Sequence, residues 1–445
     1  MKVPMQYCVD KNCFEQGRIC VPATDLPRIV IVGGGFAGLN LVKKLKNKPI
    51  QVVLFDKNNY HQFIPLLYQV ATSGIAPDSI VFPYRKMFRK YKNLVYRMAE
   101  VTKVNSEKNT ISTSIGEISY DFLIIATGSA TNYFGNKGIE RFGIGLKSVT
   151  DALDIRSHLL QNLEEAVLRC IGRDKEALGS VMIVGGGPAG VEMAGALAEF
   201  KRYVLPRDYP ELKQTPVRII LVEGTGRLLQ WMPEKLSDKT CRYLIDMGVD
   251  IKLNTLVKNY NRELVEFANG ETLRVSALIW TAGVKGELLK GFGNERISPQ
   301  HRIHIDEFNR VRGLEKVFAI GDIAFMQNDE YPNGHPMVAQ VAIQQGKNLA
   351  ANLLCTIWHK PWRKFKYIDK GSMATIGKKK AVAYINHISV WGFPAWFLWS
   401  FVHLMAIIGV RNKILVGLNW LYSYFTYDKG DRVIIRKYIP LNQTK

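Results

Sequence analysis

The sequence predicts an α/β fold with two parallel β-sheets, each containing a strand that leads through a glycine-rich turn into a helix. Two observations predict this fold. Two short aliphatic runs each end in a Gly-x-Gly-x-x-Gly motif, at residues 33–38 and 185–190. Each motif is followed by a second apolar run that ends in an acidic residue. The repeated order of strand, turn, helix, strand and acid indicates two units of one kind, the second inserted into the first.

Both units carry the full set of residues that a dinucleotide site requires. Their glycine spacing lets a strand turn tightly and lets a helix N-terminus approach a pyrophosphate, while the acid binds ribose hydroxyls. A glycine turn that serves only helix–strand packing is the alternative, and two complete units make it improbable. We therefore predict two Rossmann-like dinucleotide-binding domains. Their expected binding residues are Gly33, Gly35, Gly38 and Asp56 in the first unit, and Gly185, Gly187, Gly190 and Glu223 in the second.

Three further strand ends are expected to contribute to these sites. Two apolar runs end in similar small-residue turns, and a third ends in an acid that can reach the ribityl and pyrophosphate region of a flavin. These turn residues are Ala126, Thr127 and Gly128, then Gly283, and finally Gly321 and Asp322. The order along the chain therefore predicts an FAD domain with an inserted NAD domain. The expected boundaries are an N-terminal arm at 1–26, FAD-domain parts at 27–150 and 289–358, an NADH domain at 151–288 and a membrane-anchoring region at 359–445.

The charge balance predicts an anionic partner. The 445 residues contain 60 Lys and Arg against 39 Asp and Glu, a formal net charge of +21. Such an excess favours either nucleic acid or an anionic membrane surface. The position of the charge favours the membrane, because basic residues at 360–380 and 411–437 flank an uncharged stretch at 381–410 that contains Trp391, Trp396 and Trp399.

Residues 388–410 could form a transmembrane helix or lie in one leaflet. Pro394 is expected to start the helix, so residues 395–410 would span about 24 Å, short of the roughly 30 Å hydrocarbon core. A second segment, 414–425, places Ile414, Leu418, Leu421 and Phe425 on one face. We therefore predict two amphipathic helices that anchor the chain monotopically.

The six cysteines predict neither a disulfide framework nor a metal site. Cys8, Cys13 and Cys20 fit no standard metal-ligand spacing, and reduced thiols on an N-terminal arm are the preferred interpretation. Residues 39–169 contain no cysteine, which excludes a disulfide reductase that needs a redox pair after the first unit. Cys170 and Cys355 remain candidates for a sulfide-oxidising enzyme.

Taken together, these motifs resemble the glutathione-reductase-like flavoproteins with two dinucleotide-binding domains. Within them the sequence resembles the type II NADH dehydrogenases, which are single-subunit NADH:quinone oxidoreductases that do not pump protons. The resemblance covers about 27–435, and two stretches make it specific. Residues 60–74 resemble the family's segment beside the flavin, and residues 339–346 match its AQxAxQ quinone motif.

The resemblance implies FAD as cofactor, NADH as electron donor and a membrane quinone as acceptor in a respiratory chain. It places Ala339 beside the cofactor, Glu192 near the nicotinamide ribose and the flavin, and Gln340 and Gln344 at the quinone. It also implies a homodimer on the cytoplasmic side of the inner membrane. Glu192 could instead serve only the helix dipole, and the two glutamines, which share a helix face, could bind neighbouring loops.

The residues themselves refine these expectations. Glu223 favours NADH over NADPH because a carboxylate would repel the 2′-phosphate. Pro336 is suited to the first turn of a helix that runs to Leu354, whose N-terminus would stabilise negative charge on reduced flavin.

Two competing functions share parts of this pattern. Sulfide:quinone oxidoreductase is the main alternative, but the complete second fingerprint and the AQxAxQ match favour NADH oxidation. A nucleic-acid-binding flavoprotein would use the net charge, but we expect no nucleic acid because the charge flanks an uncharged, tryptophan-rich stretch.

Overall fold

The structure is a computed structural model that describes residues 17, 19–168 and 178–439. Cys8, Cys13 and Cys170 lie outside the described residues. The strands, in chain order, are β1 (Arg28–Val32), β2 (Gln51–Asp56), β3 (Tyr60–Gln62), β4 (Val81–Pro83), β5 (Leu94–Met98), β6 (Val101–Asn105), β7 (Thr110–Thr113), β8 (Gly116–Ser119), β9 (Phe122–Ile125), β10 (Ser129–Thr131), β11 (Ile144–Gly145), β12 (Val181–Val184), β13 (Ile219–Val222), β14 (Val249–Lys252), β15 (Val257–Tyr260), β16 (Leu264–Phe267), β17 (Thr272–Arg274), β18 (Ala277–Trp280), β19 (Val284–Gly286), β20 (Ile303–His304), β21 (Val317–Ala319), β22 (Ala324–Phe325), β23 (Ser372–Gly377), β24 (Lys380–Ile385) and β25 (Ile388–Trp391).

The helices include one long connecting helix and two at the C-terminal end. In chain order they are α1 (Phe36–Lys44), α2 (Leu67–Ala71), α3 (Tyr84–Met87), α4 (Lys137–Phe142), α5 (Val149–Leu168), α6 (Pro188–Glu199), α7 (Leu205–Asp208), α8 (Glu234–Asp246), α9 (Ala339–Ile357), α10 (Phe393–Ala406) and α11 (Val410–Thr426). A π-helical turn, Phe200–Val204, extends α6.

The chain forms two compact units, each built on a parallel five-stranded sheet. The first comprises residues 1–61, 82–130 and 284–369, and its sheet has the order β21-β9-β1-β2-β5. The second comprises residues 62–81, 131–283 and 370–445, and its sheet has the order β11-β18-β12-β13-β14. The central strands are almost fully buried, as expected for a parallel sheet covered on both faces. The predicted α/β class with two Rossmann-like sheets is confirmed.

The unit boundaries differ from the expected domain limits of 150, 288 and 358. The inserted part begins at residue 131 and ends at 283, and the first unit continues to residue 369. Residues 62–81 belong to the second unit because α2 packs against α5 and α6. The C-terminal region also belongs to it, because β23 crosses α6 so closely that a Cβ at Gly195 would overlap the Ile376 carbonyl. These associations are between residues distant in sequence, which local patterns do not reveal.

Part of the expected N-terminal arm packs on the first unit. Ile19 is buried in the core, and its amide donates to the Glu117 carbonyl at 3.1 Å. The Pro22 carbonyl accepts a hydrogen bond from Gln51 Nε2 at 2.7 Å. Residues 19–22 of the expected arm therefore pack against the first unit.

The two C-terminal helices match the expected pair, but with different ends. α10 ends at Ala406 rather than residue 410, because Ile407 is extended and Gly409 has a φ of 91°. Within the described residues, no helix combines the length and apolar character needed to cross a bilayer. Both helices expose a stripe of large apolar side chains spaced three or four residues apart, which we call the apolar stripe: Phe393, Phe397, Phe401, Met405, Ile414, Leu418, Leu421 and Phe425.

Candidate functional site

The first fingerprint forms a cradle in which two glycines are required by packing and one faces open space. Gly33 follows β1 with a φ of 100°, and a Cβ there would overlap the Ala126 carbonyl. A Cβ at Gly38 would overlap the Gly33 carbonyl, which fixes α1 close to the strand end. A Cβ at Gly35 would meet nothing within 4 Å. The open side of the turn is therefore where a pyrophosphate can approach the backbone, so these residues fit the dinucleotide of FAD.

Asp56 holds this turn and remains able to bind a ribose. Its Oδ2 accepts hydrogen bonds from the Gly34 amide at 2.7 Å and the Tyr84 hydroxyl at 3.2 Å, and its Oδ1 accepts one from the Asn58 amide at 2.8 Å. Burial raises the pKa of Asp56, and these hydrogen bonds oppose that effect. Each carboxylate oxygen has two lone-pair sites, so acceptor capacity remains for hydroxyl groups. Tyr84 was not identified from sequence, because its contact with Asp56 depends on tertiary structure.

The second fingerprint repeats this geometry in the other unit. Gly185 has a φ of 114°, and a Cβ at Gly190 would overlap the Gly185 carbonyl. Glu223 Oε2 accepts a hydrogen bond from the Gly186 amide at 2.5 Å. Its Oε1 accepts from the amide and hydroxyl of Thr225 at 2.8 and 3.0 Å. In both units the residue between the first two glycines of the motif, Gly34 or Gly186, thus donates its amide hydrogen bond to the acid.

The ligand side of the second turn carries an aromatic ring. A Cβ at Gly187 would lie 3.4 Å from the ring of Trp231, a side chain that is 56% exposed. Such a ring offers an apolar face beside the expected dinucleotide position. Trp231 was not identified from sequence, since a lone tryptophan in a loop has no signal of its own.

The expected turn at Gly321 and Asp322 is held by residues that sequence reasoning missed. The Gly321 amide donates to Gln345 Oε1 at 2.7 Å, while Gln345 Nε2 is buried without a hydrogen-bond partner. Ser129 Oγ donates to Asp322 Oδ2 at 2.5 Å. The buried Arg302 guanidinium donates from Nε to the Asp322 carbonyl at 2.9 Å, and burial lowers its pKa to about 10. The Asp322 turn is therefore fixed from both its backbone and its side chain.

The two remaining strand-end turns lie in different units. In the first unit, Thr127 Oγ1 donates to the Glu287 carbonyl at 2.6 Å, and Gly128 has a φ of 78°. In the second unit, the Gly283 carbonyl accepts from the Asn132 amide at 3.0 Å. Ala126 lies at the end of β9, where its amide donates to the Val32 carbonyl at 2.8 Å.

The predicted quinone helix starts later than expected, and its two glutamines are only partly buried. Pro336 precedes the helix, because Val338 is extended and serves as the N-cap of α9, which begins at Ala339. Gln344 Nε2 donates to the Ile368 carbonyl at 2.9 Å, and its Oε1 accepts from the Ile368 amide at 3.0 Å. Gln344 therefore binds a neighbouring loop, which was the alternative considered from sequence. The fully buried glutamine of this helix is Gln345, which directly follows the motif.

Glu192 lies in a cavity of about 830 Å³ within the second unit. The walls include Tyr68 from α2 and Trp396, Trp399 and Trp420 from the C-terminal helices. Glu192 is 7% exposed and accepts a long hydrogen bond from the Thr375 amide at 3.4 Å. Burial raises the pKa of its carboxyl to about 8, so most of it is protonated at neutral pH.

The tryptophans expected at a membrane surface are used partly inside the protein. Trp399 is 2% exposed and stacks on His403, with ring centroids 4.2 Å apart. Trp420 Nε1 donates to Gln69 Oε1 at 2.8 Å. The Trp399 side chain also lies close enough to Glu192 to lower the pKa of its carboxyl, against the larger effect of burial. The outward positions of these helices carry the apolar stripe instead.

Comparisons with known proteins decide the family. Residues 27–346 match the pyridine nucleotide-disulphide oxidoreductase family, and residues 370–427 match the NDH2 C-terminal domain. The chain is 34% identical over 426 residues to the type II NADH:quinone oxidoreductase Ndh of Mycobacterium tuberculosis, an alignment that covers 92% of this chain and 90% of that protein. The chain belongs to the type II NADH:quinone oxidoreductase family. Members of this family are peripheral membrane enzymes.

Solved structures agree with a type II NADH:quinone oxidoreductase fold. NDH2 from Plasmodium falciparum, solved in complex with NADH, superposes with a TM-score of 0.83 at 22% identity, covering 92% of this chain and all of that one. Sulfide:quinone oxidoreductase from Aquifex aeolicus superposes with a TM-score of 0.70 at 18% identity, covering 90% and 95% of the two chains. The sulfide-oxidising alternative is thus a more distant neighbour that shares the fold.

The geometry at Glu223 predicts a nucleotide preference. We expect this type II NADH:quinone oxidoreductase to reduce its flavin faster with NADH than with NADPH, measured by anaerobic stopped-flow absorbance. Glu223→Gln should narrow the preference by about tenfold or less, because a screened like-charge contact is worth on the order of 1 kcal/mol. Glu271→Gln, on an exposed strand end of the same unit, is the matched control. Equal rates with both nucleotides in the unmodified protein would contradict this assignment of Glu223.

Proposed function

We propose that this chain uses FAD to transfer two electrons from NADH to a membrane quinone. The main observation in support is that a buried, largely protonated Glu192 lies in a cavity whose wall includes aromatic side chains of the two C-terminal helices. FAD, when bound, accepts a hydride from NADH and passes electrons onward. We assign FAD to the first unit, with Gly33, Gly35, Gly38, Asp56 and Asp322. We assign NADH to the second, with Gly185, Gly187, Gly190, Glu223 and the ring of Trp231.

The cavity beside Glu192 is the proposed quinone route. Its lining includes seven aromatic side chains among polar ones, and such a combination suits a quinone ring with its two carbonyl groups. The Trp399 side chain lies close enough to Glu192 to oppose the effect of burial on the pKa of that carboxyl, so an N–H donor and a carboxyl are together in the cavity, where a quinone carbonyl could meet both. The apolar stripe is on the same two helices, α10 and α11, which form part of the cavity wall. A quinone dissolved in the bilayer would thus enter beside the surface that contacts lipid.

Glu192 is the proposed proton donor to the quinone. Reduction of a quinone to a quinol consumes two electrons and two protons. The hydride of NADH accounts for both electrons and one proton, so one further proton must be supplied, and solvent must then reprotonate its donor. A carboxyl with a pKa of about 8 carries its proton at neutral pH and can deliver it within hydrogen-bond reach. The other titratable groups of the cavity include Tyr68, Glu199, Tyr203, Lys378 and Lys429. Burial also lowers the pKa of Lys429 to about 8, so the two groups must be separated by experiment.

The apolar stripe is the proposed membrane-binding surface. The apolar stripe runs over two short helices, with Arg411 exposed and Lys413 half-buried between them, an arrangement suited to one leaflet of an anionic bilayer. We propose a monotopic attachment on the cytoplasmic side of the inner membrane and a homodimer, both supported by the family resemblance.

The proton-donor role of Glu192 gives a pH signature. In the unmodified protein, quinone-dependent flavin reoxidation should slow as the pH rises through about 8, because the donor form is lost. Glu192→Gln should lower this rate by roughly 10²-fold or more and remove that pH dependence, since an amide cannot donate the proton. Flavin reduction by NADH should stay near the parent rate. Stopped-flow absorbance from about pH 6 to about pH 9.5 measures the rates of flavin reduction and of flavin reoxidation.

Two controls make this test specific. Glu199→Gln changes another carboxyl of the same helix and cavity, and it should retain the pH profile. Lys429→Met removes the other group with a pKa near 8, and it should also retain the profile if folding is preserved. Two results would refute Glu192 as the proton donor. One is a parent-like pH dependence of reoxidation in Glu192→Gln, and the other is a pH dependence that is lost only in Lys429→Met.

The two glutamines of α9 should separate into different roles. Gln344→Ala removes two hydrogen bonds to Ile368 and should lower the free energy of unfolding by about 1–2 kcal/mol. Gln340→Ala should slow reoxidation by quinone roughly 2- to 13-fold, as for one lost hydrogen bond to substrate. Denaturant unfolding and single-turnover reoxidation measure the two effects. Slower reduction by NADH in Gln340→Ala would show that this position serves the nicotinamide instead.

A further inference from the structure

A second cavity of the same unit has a lining that the proposed electron transfer does not use. It is partly open to solvent and is lined mainly by aliphatic side chains of α5, α6 and the second sheet. We call it the leucine cavity and define it by Leu159, Leu160, Leu163, Leu197, Leu205 and Val217.

Arg156 is the unusual member of this lining. Its side chain is 2% exposed, and its Nε is buried without a hydrogen-bond partner. Burial lowers the pKa of Arg156, but a guanidinium remains charged at neutral pH. A buried cation with unmet donors is costly unless an anion compensates it. A nearby carboxylate offsets part of this cost, but the Arg156 Nε still lacks a hydrogen-bond acceptor among the described residues.

One carboxylate acts on Arg156 from a distance. Asp431 favours the charged form of Arg156 electrostatically, and the Asp431 amide donates to the Ser73 carbonyl at 3.4 Å. Asp431 is itself partly buried, and burial raises the pKa of its carboxyl. Lys201, also in the lining, adds a second positive charge. The polar part of the leucine cavity is therefore net positive, and its remainder is aliphatic.

We propose that the leucine cavity binds an aliphatic monocarboxylate, with the carboxylate on Arg156 and the hydrocarbon chain among the leucines. A carboxylate matches the fork of a guanidinium and would satisfy the unpartnered Nε. The aliphatic lining suits an unbranched hydrocarbon chain. The ligand class is thus a fatty acid, for which octanoate is the probe. This binding does not depend on the proposed quinone chemistry.

Binding can be measured on the full-length, FAD-loaded protein held in amphipol, so that no detergent chain competes. Isothermal titration with octanoate should give saturable binding, while octan-1-ol should bind more weakly because it lacks the charge. Arg156→Met should weaken octanoate binding at least about tenfold, as for the loss of a charge-assisted hydrogen bond. Its melting temperature should be unchanged or higher, because a buried unpaired cation is removed.

Two further variants distinguish ligand binding from a structural role of Arg156. Asp431→Asn removes the distant carboxylate and should tighten octanoate binding. Leu163→Phe, which partly fills the cavity, should weaken octanoate while leaving Arg156 in place. Arg218→Met, which alters an exposed arginine paired with Asp250 in the same unit, is the matched control and should bind like the parent.

Three results would overturn the proposal. The first is no octanoate binding to the unmodified protein. The second is parent-like binding in Arg156→Met or in Leu163→Phe. The third is an equal loss of melting temperature in Arg156→Met and Asp431→Asn without tighter binding in the latter, which would show that Arg156 serves only to hold the C-terminal segment. Loss of NADH:quinone activity with octanoate binding intact would instead refute only the proposed function.

Discussion

Both nucleotide sites depend on one kind of hydrogen bond. In each glycine-rich turn, the amide of the residue between the first two motif glycines donates to the carboxylate at the end of the second strand. It joins Gly34 to Asp56 in one unit and Gly186 to Glu223 in the other. In each case the bond ties the end of the second strand to the turn after the first. The acid is thereby placed beside the open side of the turn before any ligand binds. Pre-organisation of this kind lowers the entropy cost of binding a dinucleotide.

The features that the sequence predicted correctly are those with strict local spacing. The glycine at position 33 needs a positive φ, and position 38 needs close packing, so neither tolerates a side chain. The strand ends at Asp56 and Glu223 were evident because an apolar run ends abruptly in an acid. The exposed positions of Ile414 and Leu418 followed equally from helical periodicity.

The features that were missed depend on contacts between distant segments. Tyr84 reaches Asp56, and Gln345 holds Gly321, but nothing adjacent to Tyr84 or Gln345 in sequence marks these partners. The start of α9 was misplaced because Pro336 is suited to a first turn, whereas Val338 adopts an extended conformation in the structure. Trp399 was expected at the membrane surface from composition, yet helix packing turns it inward.

The second unit combines two adjoining cavities of different chemistry. The quinone cavity has aromatic walls and a neutral buried acid, and the leucine cavity has aliphatic walls and a buried cation. Thr72 belongs to the lining of both, and its hydroxyl donates to the Tyr68 carbonyl at 2.9 Å. In both cavities burial shifts a pKa, because a low dielectric disfavours charge: it raises the pKa of Glu192 and lowers that of Arg156.

The central claim is that electrons enter from NADH and leave to a quinone. Anaerobic double-mixing stopped-flow tests it most directly, with flavin absorbance followed after NADH and then after a short-chain quinone. The account predicts rapid bleaching by NADH, full recovery on addition of quinone, and no bleaching by sulfide alone. Bleaching by sulfide without bleaching by NADH would contradict it and would identify a sulfide-oxidising enzyme on the same fold.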